Sequence, residues 1–326
     1  MKNFQIIKAL TSASAVTNLS KETDAKFIAG GTNLVDLMKK NVTAPDKLVD
    51  INTLDLKKIE FLSKKVSIGA LAKNTQVAED KVIKEKFPLL SLALAAGASQ
   101  QIRNMASVGG NMLQRTRCPY FYNTDMPCNK RVPKSGCGAI GGSNRMHAVF
   151  GASESCIAVH PSDMCVALAA LDATVFVEGP KGKRKIEFTD FHRLPGNTPE
   201  KDNVLDAKEL ITSVEIPENN FAKNSHYLKI RDRSSYAFAL VSVAVGLDLK
   251  NNLINDVRLA MGGVAHKPWR LTEAEKFLKG KTVSETTFKQ AADLAMKEAK
   301  GYGENNFKIT LGTNAIIEAL TIASSK

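Results

Sequence analysis

Acidic residues are in short supply in this chain, tryptophan occurs once, and cysteine only five times among 326 residues. Its longest apolar runs fall short of the ~18–20 residues that a membrane span needs. The start, "MKNFQIIKALTSASAV", carries a short apolar patch that Lys8 interrupts and no small-residue cleavage pattern follows, so it reads as a first strand and helix rather than a secretion signal. The expectation is a chain that folds in the cytoplasm and travels elsewhere only if a partner carries it. Acyl-transfer chemistry finds no support, because no Ser-His-Asp arrangement and no carboxylate pair of evident catalytic spacing stands out. The deficit of acid leaves 45 Lys and Arg against 33 Asp and Glu, a net +12. That charge is scattered as lysine pairs (39–40, 57–58, 64–65) with no aromatic interleaving. It fits a solvated surface or an acidic partner subunit better than nucleic acid.

The bulk composition, 44% hydrophobic and 24% charged, is that of a globular protein long enough for two or three domains. Residues 2–10 alternate as a strand and 11–21 read as a helix. "KFIAGGTNLVDLMKK" (26–40) is a short apolar run, a Gly-Gly turn, then Leu34, Val35, Leu37 and Met38 at helical spacing. "KLVDI" (47–51) is a further strand, 57–71 a hairpin turning at Ser63-Lys64, and 88–98 a buried helix ended by Gly97. From Ser107 to Ser155 periodicity lapses for almost fifty residues; a loop that long is functional or held by something other than a core. Regular structure resumes with "HPSDMCVALAALDATVFVEG" (160–179), a helix capped by Ser162 or Asp163 and then a strand. Beyond 219–224 come three long alternating strands and helices near 271–279, 285–299 and 310–325. There is no internal repeat.

Four of the five cysteines fall inside the irregular stretch or at its end: Cys118, Cys128, Cys137 and Cys156, spaced C-x9-C-x8-C-x18-C. Disulfides would need an oxidising compartment. Structural zinc usually takes tight C-x2–4-C knuckles, which are missing. An iron–sulfur cluster takes four thiolates and tolerates long spacers. Pro119, Pro127, Pro133, Gly136 and Gly138 suit a stiff wrapping loop, and Arg115, Arg117, Lys130 and Arg131 would offset a negative cluster. All three readings stay open on the residues alone. Cys165, among Met164, Val166 and Leu168, reads as a buried small hydrophobe, and His147 as a satisfied loop histidine or an extra ligand.

"AGGTN" (29–33) joins strand to helix in the manner of an anion-binding turn, but it is neither a P-loop nor G-x-G-x-x-G. "SVGGN" (107–111) is a second such turn. Each offers backbone N–H groups, a hydroxyl (Thr32, Ser107) and an amide (Asn33, Asn111). Two similar turns fit a pyrophosphate gripped from both sides, as in FAD.

"KFIAGGTNLVDLMK", "SVGGNMLQRTRCPYF", "CNKR", "HAVFGASESCIAVHPSDM", "KIRDRSSYAFALVSVAV" and "GGVAHKPWR" together resemble the FAD-binding subunits of molybdenum hydroxylases, the xanthine dehydrogenase family. Within it, the cysteine loop is similar to that of the bacterial periplasmic aldehyde oxidoreductase type, where it holds an extra [4Fe–4S] cluster. The resemblance implies an α+β, vanillyl-alcohol-oxidase-like (PCMH-type) fold. Two FAD-binding subdomains, 1–55 and 56–222 (with the cysteine-rich loop 107–156), would precede a C-terminal domain of antiparallel sheet and helices, 223–326. It implies FAD contacts at Lys26, Phe27, Ile28, Ala29, Gly30, Gly31, Thr32, Asn33, Leu34, Ser107, Gly110, Asn111, Asp163 and Lys229. Asp163 would accept from a ribityl or ribose hydroxyl, unless it only caps its helix. Lys229 would sit near the flavin ring, unless it is only a strand residue. Cluster ligands would be Cys118, Cys128, Cys137 and Cys156. Arg231 and Arg233 are left as salt-bridge donors.

The implied role is electron transfer rather than substrate chemistry. A molybdenum-bearing large subunit would oxidise an aldehyde to a carboxylic acid, and a small subunit with two [2Fe–2S] clusters would pass electrons on. This chain would deliver them to an external acceptor. The same role in an N-heterocycle dehydrogenase or aroyl-CoA reductase is an alternative, and a zinc-stabilised basic binding module is the non-enzyme one.

Overall fold

Three sheets in chain order organise the molecule, and the computed structural model describes residues 1–326. The first sheet holds β1 (Gln5–Lys8), β2 (Ala25–Ile28) and β3 (Lys47–Asp50), in the order β1-β3-β2 and parallel throughout. Parallel neighbours require crossovers. The helix Ser12–Ser20 supplies one, started by a capping box in which Thr11 and Ser14 serve each other's backbone. Its Ala15, Val16 and Leu19 pack with Val49 and Ile51.

The second sheet is antiparallel and comprises β4 (Ile59–Leu62), β5 (Lys65–Gly69), β6 (Thr174–Gly179), β7 (Gly182–Glu187) and β8 (Leu210–Pro217), ordered β4-β5-β8-β6-β7. Val66, Ile68, Val175 and Val177 alternate inward against the helices Pro88–Ala96 and Asp163–Ala170. The irregular stretch lies between β5 and β6. It contains only the short helices Val108–Met112 and Pro119–Tyr122 after the helix Gln100–Met105.

The third sheet, β9 (Asn224–Ile230), β10 (Val241–Lys250), β11 (Leu253–Gly262) and β12 (Trp269–Arg270), runs antiparallel in the order β12-β11-β10-β9. The helices Thr272–Leu278, Glu285–Met296 and Phe307–Ser324 follow it. Val241, Val243, Val245 and Leu247 face these helices, while Ala244 of the same strand joins the core of the second sheet. With both faces covered, β10 reads as the nearly continuous apolar run VSVAVGL.

The structure revises two expectations. "SVGGN" is not a free turn: Ser107 caps the helix Val108–Met112, accepting from the Gly110 N–H at 3.3 Å, so both glycines lie inside the first helical turn. Arg231 and Arg233 form no ion pairs. Their guanidinium groups serve backbone carbonyls, that of Ala96 at a helix C-terminus for Arg231 and those of Ser235 and Tyr236 for Arg233.

Candidate functional site

The two glycine motifs meet. A Cβ on Gly30 would lie 2.0 Å from the carbonyl oxygen of Met105, so the first turn touches the backbone that leads into Ser107. Gly31 adopts φ +74°, which glycine reaches without strain. The second motif is seated on the chain leaving β5: Val108 N–H donates to Ala72 O at 3.0 Å and Gly109 N–H to Ala70 O at 2.8 Å. Asn33 ties the two together, its Oδ1 accepting from the Arg115 N–H at 3.0 Å.

Against this junction opens a cleft of about 690 Å³. Of the predicted flavin contacts, Thr32, Asn33, Gly110, Asn111 and Asp163 line it. Lys26 to Gly31, Leu34, Ser107 and Lys229 are not among the lining residues. Lys229 stands behind the wall, its Nζ 2.8 Å from Asp163 Oδ2 and 3.0 Å from Ala96 O. Tyr227 donates to the other Asp163 oxygen at 2.7 Å, so that carboxylate is committed on both sides. Burial is the largest influence raising the Tyr227 phenol well above its usual range, and the Asp163 charge adds to it. Asn111 is also occupied, accepting from Ser162 Oγ at 2.7 Å and from Gln114.

Three cleft residues keep buried polar atoms without a partner: Asn33 Nδ2, Asn74 Oδ1 and Arg117 Nε. Unpaired buried polar atoms are costly unless a ligand satisfies them. Asn33, Asn74 and Arg117 in the wall of a cleft of this size, beside the 29–33 turn and the Ser107-capped helix start, suit a phosphate- and hydroxyl-bearing dinucleotide. FAD therefore fits the residues present.

A smaller hollow of about 200 Å³ shares Arg117, Met146, Pro161, Ser162, Asp163 and Phe238 with the cleft and reaches Cys118 and His147. On the far side of Cys118 lies a cramped cavity walled by Cys118, Cys128, Cys137 and Cys156, all unpaired thiols. The structure thus gathers the four predicted ligands and excludes Cys165. That thiol is fully buried in its helix, and burial pushes it up to about 12.

Local backbone explains the gathering. Cys128 and Cys137 face each other across a short antiparallel bridge, closed by Asn129 N–H to Gly136 O at 2.7 Å and Gly138 N–H to Pro127 O at 3.0 Å. The Arg131 guanidinium gathers the carbonyls of Tyr120, Phe121, Thr124 and Met126. Lys130, 4% exposed, and Arg115 both bind Asp202, fastening the loop to the segment before β8. Burial would raise Asp202, but Lys130 and then Arg115 outweigh it and hold the carboxyl at about 2. The basic residues expected to balance a cluster are therefore mostly spent on the loop's own architecture.

The thiols are not equivalent. Burial pushes Cys118 up to about 11, against hydrogen bonds from the Phe121 and Tyr120 backbone. Cys137 is drawn down to about 6 by the Cys156 thiol donating to it, with the Ile140, Ala139 and Ile157 backbone adding to the pull. Cys156 moves up correspondingly. Four sulfurs at one cavity, with backbone donors aimed at them, fit a thiolate-ligated cluster.

Two family models cover nearly the whole chain: the FAD binding domain in molybdopterin dehydrogenase over residues 2–219, and the CO dehydrogenase flavoprotein C-terminal domain over 226–321. The chain belongs to the FAD-binding subunits of the molybdenum hydroxylases. It is 46% identical over 330 residues to the aldehyde oxidoreductase FAD-binding subunit PaoB of Escherichia coli K12, covering 100% of both chains. It is 29% identical to the glyceraldehyde dehydrogenase medium chain of Sulfolobus acidocaldarius, covering 89% of this chain and 85% of that one. Among solved structures, carbon monoxide dehydrogenase of Hydrogenophaga pseudoflava superposes with TM-score 0.78 at 22% identity, over 99% of this chain and 98% of that one. The fold is accordingly the α+β PCMH-type FAD fold, as the resemblance implied. As a member of this family the chain is the flavoprotein component of an oxidoreductase, which removes the non-enzyme binding module from consideration. No helix is long and apolar enough to cross a membrane.

Four features of the site are not marked in the sequence: Asp202, Asn74, the Met105 carbonyl and His266. Each lies far along the chain from the motif it serves. His266 stands inside the stretch "GGVAHKPWR", yet nothing local marks it as facing Cys156.

Proposed function

We propose that this chain carries FAD in the 690 Å³ cleft and a [4Fe–4S] cluster in the four-thiol cavity. It would serve as the electron-transfer subunit of a molybdenum-dependent aldehyde oxidoreductase. Its partners would be a molybdenum-bearing large subunit and a small subunit with two [2Fe–2S] clusters, with an external electron acceptor. The observation that carries the reading is Cys118, which lines both the thiol cavity and the hollow that opens from the cleft. Bound there, the flavin supplies two-electron and the cluster one-electron exchange.

The chain's own residues hold and orient. The turns 29–33 and 107–111 would seat the pyrophosphate, with the Asn33 amide and Arg117 as donors. Asp163 keeps its wall fixed through Lys229 and Tyr227. Cys118, Cys128, Cys137 and Cys156 would ligate the cluster. In this reading residues 1–55 and 56–222 form the FAD-binding half and 223–326 the cover. An aldehyde as the substrate of the assembly is supported by the names of the two relatives above, both of which denote aldehyde-oxidising enzymes. We further infer that folding and cofactor loading take place in the cytoplasm, whether or not a partner then takes the complex onward.

The test is an anaerobic visible spectrum of the purified chain with its iron, sulfide and zinc content, repeated for Cys128→Ser. The expected result is flavin bands over a broad shoulder near ~400 nm, with about four iron and four sulfide per chain, as one cubane requires. In the variant the iron is lost and the flavin kept. Zinc without iron would remove the cluster and leave the flavin reading standing.

A further inference from the structure

Two imidazoles from separate parts of the chain reach the thiol cavity. His147 Nε2 lies 3.1 Å from Cys118 Sγ, and His266 Nε2 lies 3.2 Å from Cys156 Sγ. Both rings are nearly inaccessible, at 3% and 7% exposure. In each ring Nδ1 is buried with no partner, so the sulfur is the only hydrogen-bonding neighbour of the ring. With a sulfur at Nε2 and no acceptor at Nδ1, a ring proton belongs on Nε2, making each ring a donor to sulfur.

Nothing in the cysteine motif requires these histidines. His147 is at the end of the loop, where Asn305 holds its carbonyl at 3.3 Å, and His266 arrives from the third sheet. The Cys128 N–H donates to the Ser135 hydroxyl oxygen, and Cys137 receives the Cys156 thiol; neither sulfur has an imidazole. The two donors are thus placed on two of the four sulfurs, and Cys118, which carries one of them, also borders the 200 Å³ hollow beside the cleft.

We propose that His147 and His266 are positioning residues that donate Nε2–H to the Cys118 and Cys156 sulfurs and thereby raise the midpoint potential of the cluster those thiolates hold. This rests on the cluster reading above. The reason is electrostatic: reduction adds negative charge to the cluster and its sulfurs, so a fixed N–H dipole in a dry site stabilises the reduced form more than the oxidised one. Because each donor meets a different sulfur, the two effects should add approximately.

The experiment is an EPR-monitored potentiometric titration of the anaerobically purified full chain, with iron, sulfide and flavin measured on the same samples. Wild type is compared with His147→Leu, His266→Leu and His147→Gln. Expected are wild-type iron and flavin contents throughout and a midpoint potential shifted negative in each Leu variant. His147→Gln, which restores an N–H near the same place, recovers most of the shift. Leu variants with a full cluster and an unmoved potential overturn the inference while the cluster reading stands. Loss of iron from both His147 variants with flavin retained also overturns it, because His147 would then be a ligand. If His147→Leu fails to fold, His266→Leu and His147→Gln decide by the same readout. A wild-type chain without four iron removes the cluster reading, and this inference with it.

Discussion

Lys308 is the clearest single-residue puzzle. It is fully buried, makes no ion pair, and spends its ammonium on the Gly263 carbonyl at 2.8 Å. Burial, with the Arg145 charge adding to it, lowers it to about 7 from 10.5. The folded protein therefore disfavours the charged form, and linkage fixes the sign. Between about 10.5 and about 7 the unfolded chain takes up a proton that the native one refuses, so stability falls as pH falls through that window and levels off below it. Lys308→Met removes this dependence. It also leaves the carbonyl unpaired at every pH, at a cost of about 1–3 kcal/mol. The variant's stability relative to wild type should accordingly be higher at pH 6.5 than at pH 9.5 by more than ~1.4 kcal/mol, the equivalent of a tenfold change in proton affinity. Urea midpoints at the two pH values measure it, and equal differences would mean that Lys308 keeps its ordinary proton affinity in the folded chain.

At the scale of the element, the strand-turn-helix around Gly30 is the most exposed to challenge. A methyl group there meets Met105 backbone atoms at 2.0 and 2.7 Å, which no rotamer change relieves. Gly30→Ala should separate the two glycine motifs and cost about 1–3 kcal/mol, the usual range for overpacking. It should also lower the flavin-to-protein absorbance ratio in the purified chain; a variant with full flavin and unchanged melting would show that the turn is not packed this way. This element was readable in the sequence because β2, the glycines and the helix beginning at Leu34 are contiguous and each has its own period or signature. The strands β9 to β11 and the closing helices were readable for the same reason. The site was readable only where its parts carry a chemical mark. Four cysteines in an irregular stretch announce themselves, whereas Asp202 beneath Lys130 looks like any surface carboxylate. Lys229 was expected near the flavin; its ion pair with Asp163 joins β9 to a helix in the other half of the chain, a pairing that local pattern does not encode. "SVGGN" misled because a Ser before two glycines signals a turn and a helix cap equally well.

For the whole molecule, the cysteine loop is the piece that both halves share. It leaves the second sheet's domain, and two of its residues, Val149 and Phe150, are buried in the core of the third sheet, where Phe150 stacks on Trp269. Asn305, fully buried, donates to the carbonyls of His147 and Ala148, and Glu304 accepts from Ser143 and Asn144. Asn305→Leu should leave two buried carbonyls with one partner fewer, cost about 1–3 kcal/mol, and speed the loss of iron from the cavity in the presence of a chelator. Iron release at the wild-type rate, with full iron at the start, would show that the far half does not brace the loop. The His266 contact with Cys156 spans 110 positions of sequence, and this has a consequence for biosynthesis. While a ribosome is still translating the third sheet, all four thiols are already synthesised, yet the wall that closes over Cys156 does not exist. If the pocket holds the proposed cluster, machinery delivering its metal would have to wait for the C-terminal third of the nascent chain or guard an open, oxidisable pocket until that third arrives.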